Sequence, residues 1–128
     1  MNNTRSSLVF VNIIFFFPLI IGLFYIQEDP YLPFAQEMPA PIGGMESIYK
    51  HITYPDMARK AGVSGKVYVL IYVNESGGVD QVKVVKGIGA GCDEAAIEGV
   101  KASRFIPGKN NGAPVKVKLS LPIIFKFN

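Results

Sequence analysis

The sequence predicts an α+β fold: a small three-stranded antiparallel sheet with two helices packed on one face, preceded by an N-terminal transmembrane helix. Three observations predict it: an apolar, charge-free segment near the N-terminus, three stretches that alternate with period two, and two segments bounded by helix start and stop signals. After the apolar segment, the order is helix, strand, strand, helix, strand. A strand meander plus one return strand, covered by helices on one side, satisfies that order.

The N-terminal segment, residues 8–26, contains no charged residue. A helix rises about 1.5 Å per residue, so this segment nearly spans a hydrocarbon core of about 30 Å. Arg5 precedes it, and Glu28 and Asp29 follow. The positive-inside rule therefore predicts a cytoplasmic segment at residues 1–7 and export of the rest of the chain. A cleaved signal peptide is the alternative, although the apolar segment is longer than is usual for one.

A proline-rich linker is predicted at residues 27–44, ending in Gly43-Gly44. Proline fixes φ and removes the amide donor, so we expect an extended spacer of roughly 50 Å at most. The remaining residues, 45–128, form the predicted domain.

Five elements are expected in that domain. Tyr54–Gly62 suits a short helix, because a proline lies near its start and a glycine closes it. Two strands follow, joined by a glycine-containing hairpin loop, and then a second helix with acidic residues in its first turn. Residues 107–114 are expected to form a loop before the last strand. The ranges of the middle elements are 65–74, 79–86 and 93–102.

The last strand has the clearest amphipathic pattern in the chain. From Val115 to Phe127, apolar residues alternate with a series that includes Lys116, Lys118 and Lys126. No acidic residue follows Glu98, although the net charge of the chain is only +3. The lysines are either a solvated face or a surface that steers an acidic partner.

Nothing in the sequence predicts an enzyme, a cofactor or a metal site. The single cysteine, Cys92, excludes an internal disulfide and any multi-cysteine metal site, and we expect it to be a small buried residue. The only histidine, His51, is far from it in sequence. Residues 87–91 are glycine-rich, but Cys92 stands where a dinucleotide-binding fingerprint requires glycine. The basic residues lack an aromatic stacking platform, so nucleic-acid binding is not expected.

A set of short motifs resembles the TonB C-terminal family in content and in order. The family pattern has a Tyr-Pro helix start, a Gly-x-x-Gly before a valine-rich strand, and a glycine-rich hairpin. A helix with paired alanines, an Arg-Phe-x-Pro turn, and a Gly-x-Pro-Val entry to a last strand with Pro-Ile-x-Phe complete it. The matching residues here are Tyr54-Pro55, Gly62, Gly65, Gly77-Gly78, Asp93-Glu94-Ala95-Ala96, Arg104-Phe105-Ile106-Pro107, Gly112-Ala113-Pro114-Val115 and Pro122-Ile123-Ile124-Phe125.

The resemblance implies an energy transducer anchored in the inner membrane, with its C-terminal domain in the periplasm. Such proteins couple the motor proteins ExbB and ExbD to outer-membrane receptors, whose TonB box adds as a strand to the sheet of the domain. The expected binding edge is the final strand, at Val115, Lys116, Val117, Lys118, Leu119, Ser120 and Leu121. In the other reading, Lys116 and Lys118 only protect an edge from aggregation.

Two features depart from the family pattern. The anchor contains neither the serine nor the histidine that the family uses for motor coupling, and the linker is short. A tethered envelope module that contacts another protein or peptidoglycan, without a motor, therefore remains the alternative function.

Overall fold

The computed structural model describes residues 29–127, most of which belong to one compact unit that begins at Tyr31. The predicted segments 1–7 and 8–26 lie outside the described residues. Among those described, no helix is both long and apolar enough to cross a membrane. The elements in chain order are β1 (Ala40–Pro41), α1 (Met45–Tyr49), α2 (Asp56–Ala61), β2 (Gly65–Val73), β3 (Val79–Lys86), α3 (Cys92–Lys101), β4 (Phe105–Ile106), β5 (Gly108–Asn110), β6 (Ala113–Val115) and β7 (Val117–Phe125).

The main sheet has three antiparallel strands in the order β3-β2-β7, which confirms the predicted sheet. Its pairing with β7 is unbroken from Gly65↔Phe125 to Val73↔Val117. Side chains alternate across a strand, and the odd-numbered residues of β2 from Val67 to Val73 are fully buried. This face forms the core, while the even-numbered residues lie on the opposite face.

Three helices, rather than the predicted two, contribute to this core. α2 begins after Pro55 and ends at Gly62, whose φ of 69° is the left-handed value that favours glycine. α3 contributes the buried Ala96 and Val100. The unpredicted α1 adds Ile48, which is fully buried. Five residues are too few to show helical periodicity, which is why the sequence did not reveal it.

The expected loop at residues 107–114 is instead a hairpin of β5 and β6. Asn111 and Gly112 form its two-residue turn with φ of 52° and 78°. Positive φ at both positions is the type I′ turn that an Asn-Gly pair favours. The predicted last strand is also corrected: Val115 belongs to β6, and β7 begins only at Val117.

Residues 31–44 of the predicted linker pack along the domain instead of forming a free spacer. β1 pairs with β4 through Ala40↔Ile106. Glu37 and Lys109 exchange two backbone hydrogen bonds of 3.0 and 2.9 Å, and Pro39 is buried. Proline lacks only its own amide donor, so the residues between the prolines can still pair with a neighbouring strand.

Candidate functional site: the outer edge of β7

The structure places most of the predicted binding residues on an edge strand. β2 covers one side of β7, and the other side is the edge of the sheet. Of the seven predicted residues, Val117, Lys118, Leu119, Ser120 and Leu121 lie in β7. Val115 and Lys116 precede it, so the predicted segment is not one continuous strand.

Backbone alternation fixes which groups of β7 point outward. Lys118 donates its amide to the Leu32 carbonyl on the outer side, at 2.9 Å. In an antiparallel ladder every second residue points away from the partner strand. The amides and carbonyls of Ser120 and Ile124 therefore also face outward, as does the carbonyl of Pro122, while those of Leu119 and Leu121 face β2. We call this outward row, from Lys116 to Ile124, the β7 edge.

Intramolecular contacts cap the two ends of the β7 edge. At one end the Leu32 amide donates to the Lys116 carbonyl at 2.9 Å, which completes a parallel bridge between Leu32 and Val117. At the other end the Ile124 amide donates to the Tyr49 hydroxyl at 3.0 Å. Between these caps lie Ser120, which is exposed, and Pro122, which has no amide.

Different side chains flank the two ends. Near Leu32, the ring of Tyr31 packs edge-on against Tyr72 at 5.0 Å, and the Lys116 ammonium lies 5.5 Å from the Tyr31 ring centre. Near Tyr49, an apolar cavity of about 370 Å³ is lined by Tyr49, Ile52, Tyr54, Ile124, Phe125 and Lys126. Aromatic and aliphatic surface is therefore available at both ends to receive the side chains of an added strand.

The Asp80 carboxylate lies at the Leu32 end. It accepts hydrogen bonds from the Tyr31 hydroxyl and from the Asn74 amide, the latter at 2.7 Å. The hydrogen bond from Tyr31 and, to a smaller extent, the one from Asn74 hold the pKa of Asp80 below its ordinary value. The positive charge of Lys116 adds to the effect. Asp80 is therefore ionised at neutral pH and fixes the Tyr31 ring over the sheet.

The motif residues of the helix-to-strand segment support the fold around the edge. Tyr54 donates its hydroxyl to the Val63 carbonyl, and its ring contacts Phe125 edge-on at 5.5 Å. Pro55 and Gly62 bound α2. Gly65 opens β2 at a φ of 149°, where an added Cβ would lie 3.2 Å from the Ile88 side chain.

The remaining motif residues hold the C-terminal half of the domain. Phe105 is buried, and its amide donates to the Gly77 carbonyl at 2.9 Å. Pro107 follows β4, with its Cδ 3.5 Å from where a Cβ on Gly77 would lie, and Pro122 lies in β7 opposite Tyr68. These positions are structural, except that Pro122 also removes one donor from the β7 edge.

Cys92 is fully buried, as the sequence predicts. Burial raises the pKa of its thiol, and the nearby Asp93 and Glu94 raise it further. A neutral, buried thiol is a poor nucleophile. Within residues 29–127, no three histidine, cysteine or acidic side chains are grouped closely enough to hold a metal ion.

Sequence reasoning missed the caps of the β7 edge. Tyr31 and Leu32 lie among prolines in a segment expected to be a spacer, and Tyr49 lies in the unpredicted α1. The available signal was the Tyr-Leu pair itself, because two large apolar residues in a short spacer suggest a packing contact.

Comparison with protein families gives one match that covers most of the domain. Residues 50–127 match the family described as the Gram-negative bacterial TonB protein C-terminal. Among curated proteins, the chain is 34% identical over 76 residues to Protein tonB2 of Pseudomonas aeruginosa, covering 59% of this chain and 28% of that protein. It is 32% identical over 74 residues to Protein TonB of Vibrio cholerae, covering 57% and 30%. The chain thus spans less than a third of the length of these relatives.

Solved structures show the same fold. The solution structure of Helicobacter pylori TonB-CTD, residues 194–285, aligns with a TM-score of 0.51 at 29% identity, covering 63% of this chain and 86% of that one. The Pseudomonas aeruginosa TonB CTD aligns with a TM-score of 0.50 at 26% identity, covering 59% and 78%.

Proposed function

Because the chain belongs to the family of Gram-negative bacterial TonB C-terminal domains, we propose that it is a membrane-anchored coupling protein of the periplasm. Residues 8–26 anchor it in the inner membrane, and the domain binds outer-membrane transport receptors by strand addition to the β7 edge. ExbB-like and ExbD-like proteins supply the driving force. The protein works by binding and carries out no chemical reaction.

The observation that supports this proposal is the regularity of the β7 edge. Nine consecutive pairs hold β7 against β2 without a register shift, so the outward groups keep an even spacing. Ser120 lies between the two caps, is exposed, and directs its amide and carbonyl away from the sheet. An extended peptide can pair with such a row through its backbone, whatever its side chains.

Selectivity then comes from the groups beside the edge. Lys116 and Lys118 favour an acidic segment and increase its association rate at low salt. The apolar cavity near Tyr49 accepts an alkyl or aromatic side chain. Each contribution is modest, so the backbone hydrogen bonds with Ser120 are expected to dominate the affinity.

The test is a titration of the full chain in detergent micelles with TonB-box peptides from the receptors of the same bacterium. Amide NMR shifts should concentrate at Lys118 and Ser120. Ser120→Pro removes one outward donor and should weaken binding about fivefold, since a net hydrogen bond contributes about 1 kcal/mol. Ser120→Ala keeps the amide and should bind like the native chain. Binding that Ser120→Pro leaves unchanged would contradict strand addition at this edge.

A tethered envelope module is the second candidate, and the packing of residues 31–44 favours it. Only residues 27–30 remain between the predicted anchor and the packed unit, and an extended chain reaches about 3.5 Å per residue. A spacer this short reduces the reach expected of a coupling protein and therefore favours the tethered module. Genes for ExbB-like and ExbD-like proteins or a receptor beside this gene favour transport, whereas their absence favours the tethered module.

A further inference from the structure

A short segment of this chain already lies where a partner strand would add. We call Tyr31 and Leu32 the strap. Leu32 donates its amide to the Lys116 carbonyl and accepts from the Lys118 amide, both at 2.9 Å, and it runs parallel to β7 opposite Val117. These are the hydrogen bonds that the first residue of an added parallel strand would make.

The strap is held by side chains as well as by its backbone. The Tyr31 ring covers Tyr72, which is only 7% exposed although it lies on the face away from the core. The Tyr31 hydroxyl donates to Asp80, and Lys116 lies beside the ring. The surface at this end of the β7 edge therefore fits an aromatic residue followed by an aliphatic one.

Pairing between the strap and β7 stops after Leu32. Pro33 fixes its φ near −65°, whereas a parallel strand needs about −120°. The chain turns away, and the next residue, Phe34, is 74% exposed. In a continuing parallel strand, the residue at the position of Phe34 would accept from the Ser120 amide. The strap stops short of that bond.

We propose that the strap is an intramolecular stand-in for the partner strand, and that partner binding displaces it. This inference rests on the proposed strand addition at the β7 edge. It assigns the partner an extended segment that runs parallel to β7, with an aromatic residue, then an aliphatic residue, then a residue other than proline. Such a segment replaces the contacts of the strap and adds the pairing with Ser120 that Pro33 denies to the strap.

The test compares strap variants of the full chain in detergent micelles. The probe is a synthetic peptide that repeats residues 29–34 with Pro33→Val. The variant carries Tyr31→Ala and Leu32→Pro, which removes the ring and the donor to Lys116. Phe34→Ala is the matched control, because this side chain is exposed and adjoins the strap. Affinity and the Lys118 and Ser120 amide shifts are measured for each.

The probe should bind the strap variant about tenfold more tightly than the native chain, because the native edge is available only in the fraction of molecules with the strap open. Phe34→Ala should match the native chain. Equal affinity for variant and native chain overturns the proposal, and so does weaker binding to the variant, which would make the strap part of the binding surface. Failure of the probe to bind any form overturns it too.

The same variants, titrated with TonB-box peptides, separate this inference from the proposed function. If the receptor peptides bind equally to the native chain and the strap variant, the strap proposal fails and strand addition stands. If they bind neither, the proposed receptor function fails.

Discussion

Replacing Leu119 by proline removes an amide that the alternation of β7 directs toward Ile71 of β2. Ile71 is fully buried, so its carbonyl would lose its partner without gaining water. An unsatisfied buried carbonyl costs about 1–3 kcal/mol, and distortion of the strand adds to that. We expect Leu119→Pro to lower the free energy of unfolding by about 3 kcal/mol more than Leu119→Ala does. The alanine variant is the reference because it also lacks the leucine side chain.

Ser120→Pro, one residue further along, should behave differently. Its amide faces outward, and β7 already accommodates proline at the equivalent outward position of Pro122. We expect a loss of about 1 kcal/mol or less relative to Ser120→Ala. In a unit of this size 1 kcal/mol corresponds to about 4–8 °C, so the melting temperatures of the two proline variants should differ by roughly 10 °C or more.

Thermal unfolding followed by circular dichroism, on the full chain in detergent micelles, measures both losses. Amide exchange at Ile71 and Val69, whose partners in β7 are Leu119 and Leu121, shows whether the β2–β7 ladder stays closed. Similar losses for the two variants, after subtraction of their alanine controls, would refute the assigned direction of the β7 backbone. The case for strand addition at Ser120 would fail with it.

The remaining predictions concern single sites. Gly77→Ala should destabilise the domain by about 3 kcal/mol or more in chemical denaturation, because its φ is 84° and an added Cβ would lie 1.9 Å from the Phe105 carbonyl oxygen. Asp80 has a folded-state pKa below its unfolded one, so its contribution to stability is present at neutral pH and disappears as the pH falls through the folded-state pKa. Tyr31→Phe should raise the pKa of Asp80, measured by carboxyl NMR titration. Cys92 should react with a thiol reagent far more slowly in the native chain than in denaturant, because burial raises its pKa and blocks access.

The strands were predictable because each has one buried face. The alternation in Gly65–Val73 and in Val117–Phe125 reflects odd-numbered residues that enter the core, and period two identifies such strands without further information. The antiparallel pairing of β2 with β3 also followed, since a short hairpin requires antiparallel neighbours. The hairpin does not decide whether β7 pairs with β2 or with β3, and the edge position of the last strand was expected only from the family resemblance.

The caps were not predictable, because their contacts depend on backbone groups far apart in sequence. Leu32 pairs with Lys116 and Lys118, and Tyr49 accepts from Ile124, through bonds that leave no periodic pattern. Proline content argued against a strand at residues 27–44, yet a single-residue bridge needs only one free amide and one carbonyl. Similarly, α1 is stabilised by burying Ile48 rather than by its intrinsic helix propensity.

The two edges of the main sheet are protected in different ways, and the difference favours β7 as the binding edge. The pairing of β3 with β2 has register shifts at both ends, and its exposed residues include Lys83, Val85 and Lys86. The bulges belong to β3 itself, so they discourage pairing permanently. β7 has no such irregularity. It is covered at its ends by the strap and by Tyr49, neither of which is part of the β2–β7 ladder. Permanent protection of both edges would suit a sheet that binds no partner strand. A regular edge that is covered only at its ends, by groups outside its ladder, is expected where a partner strand must bind.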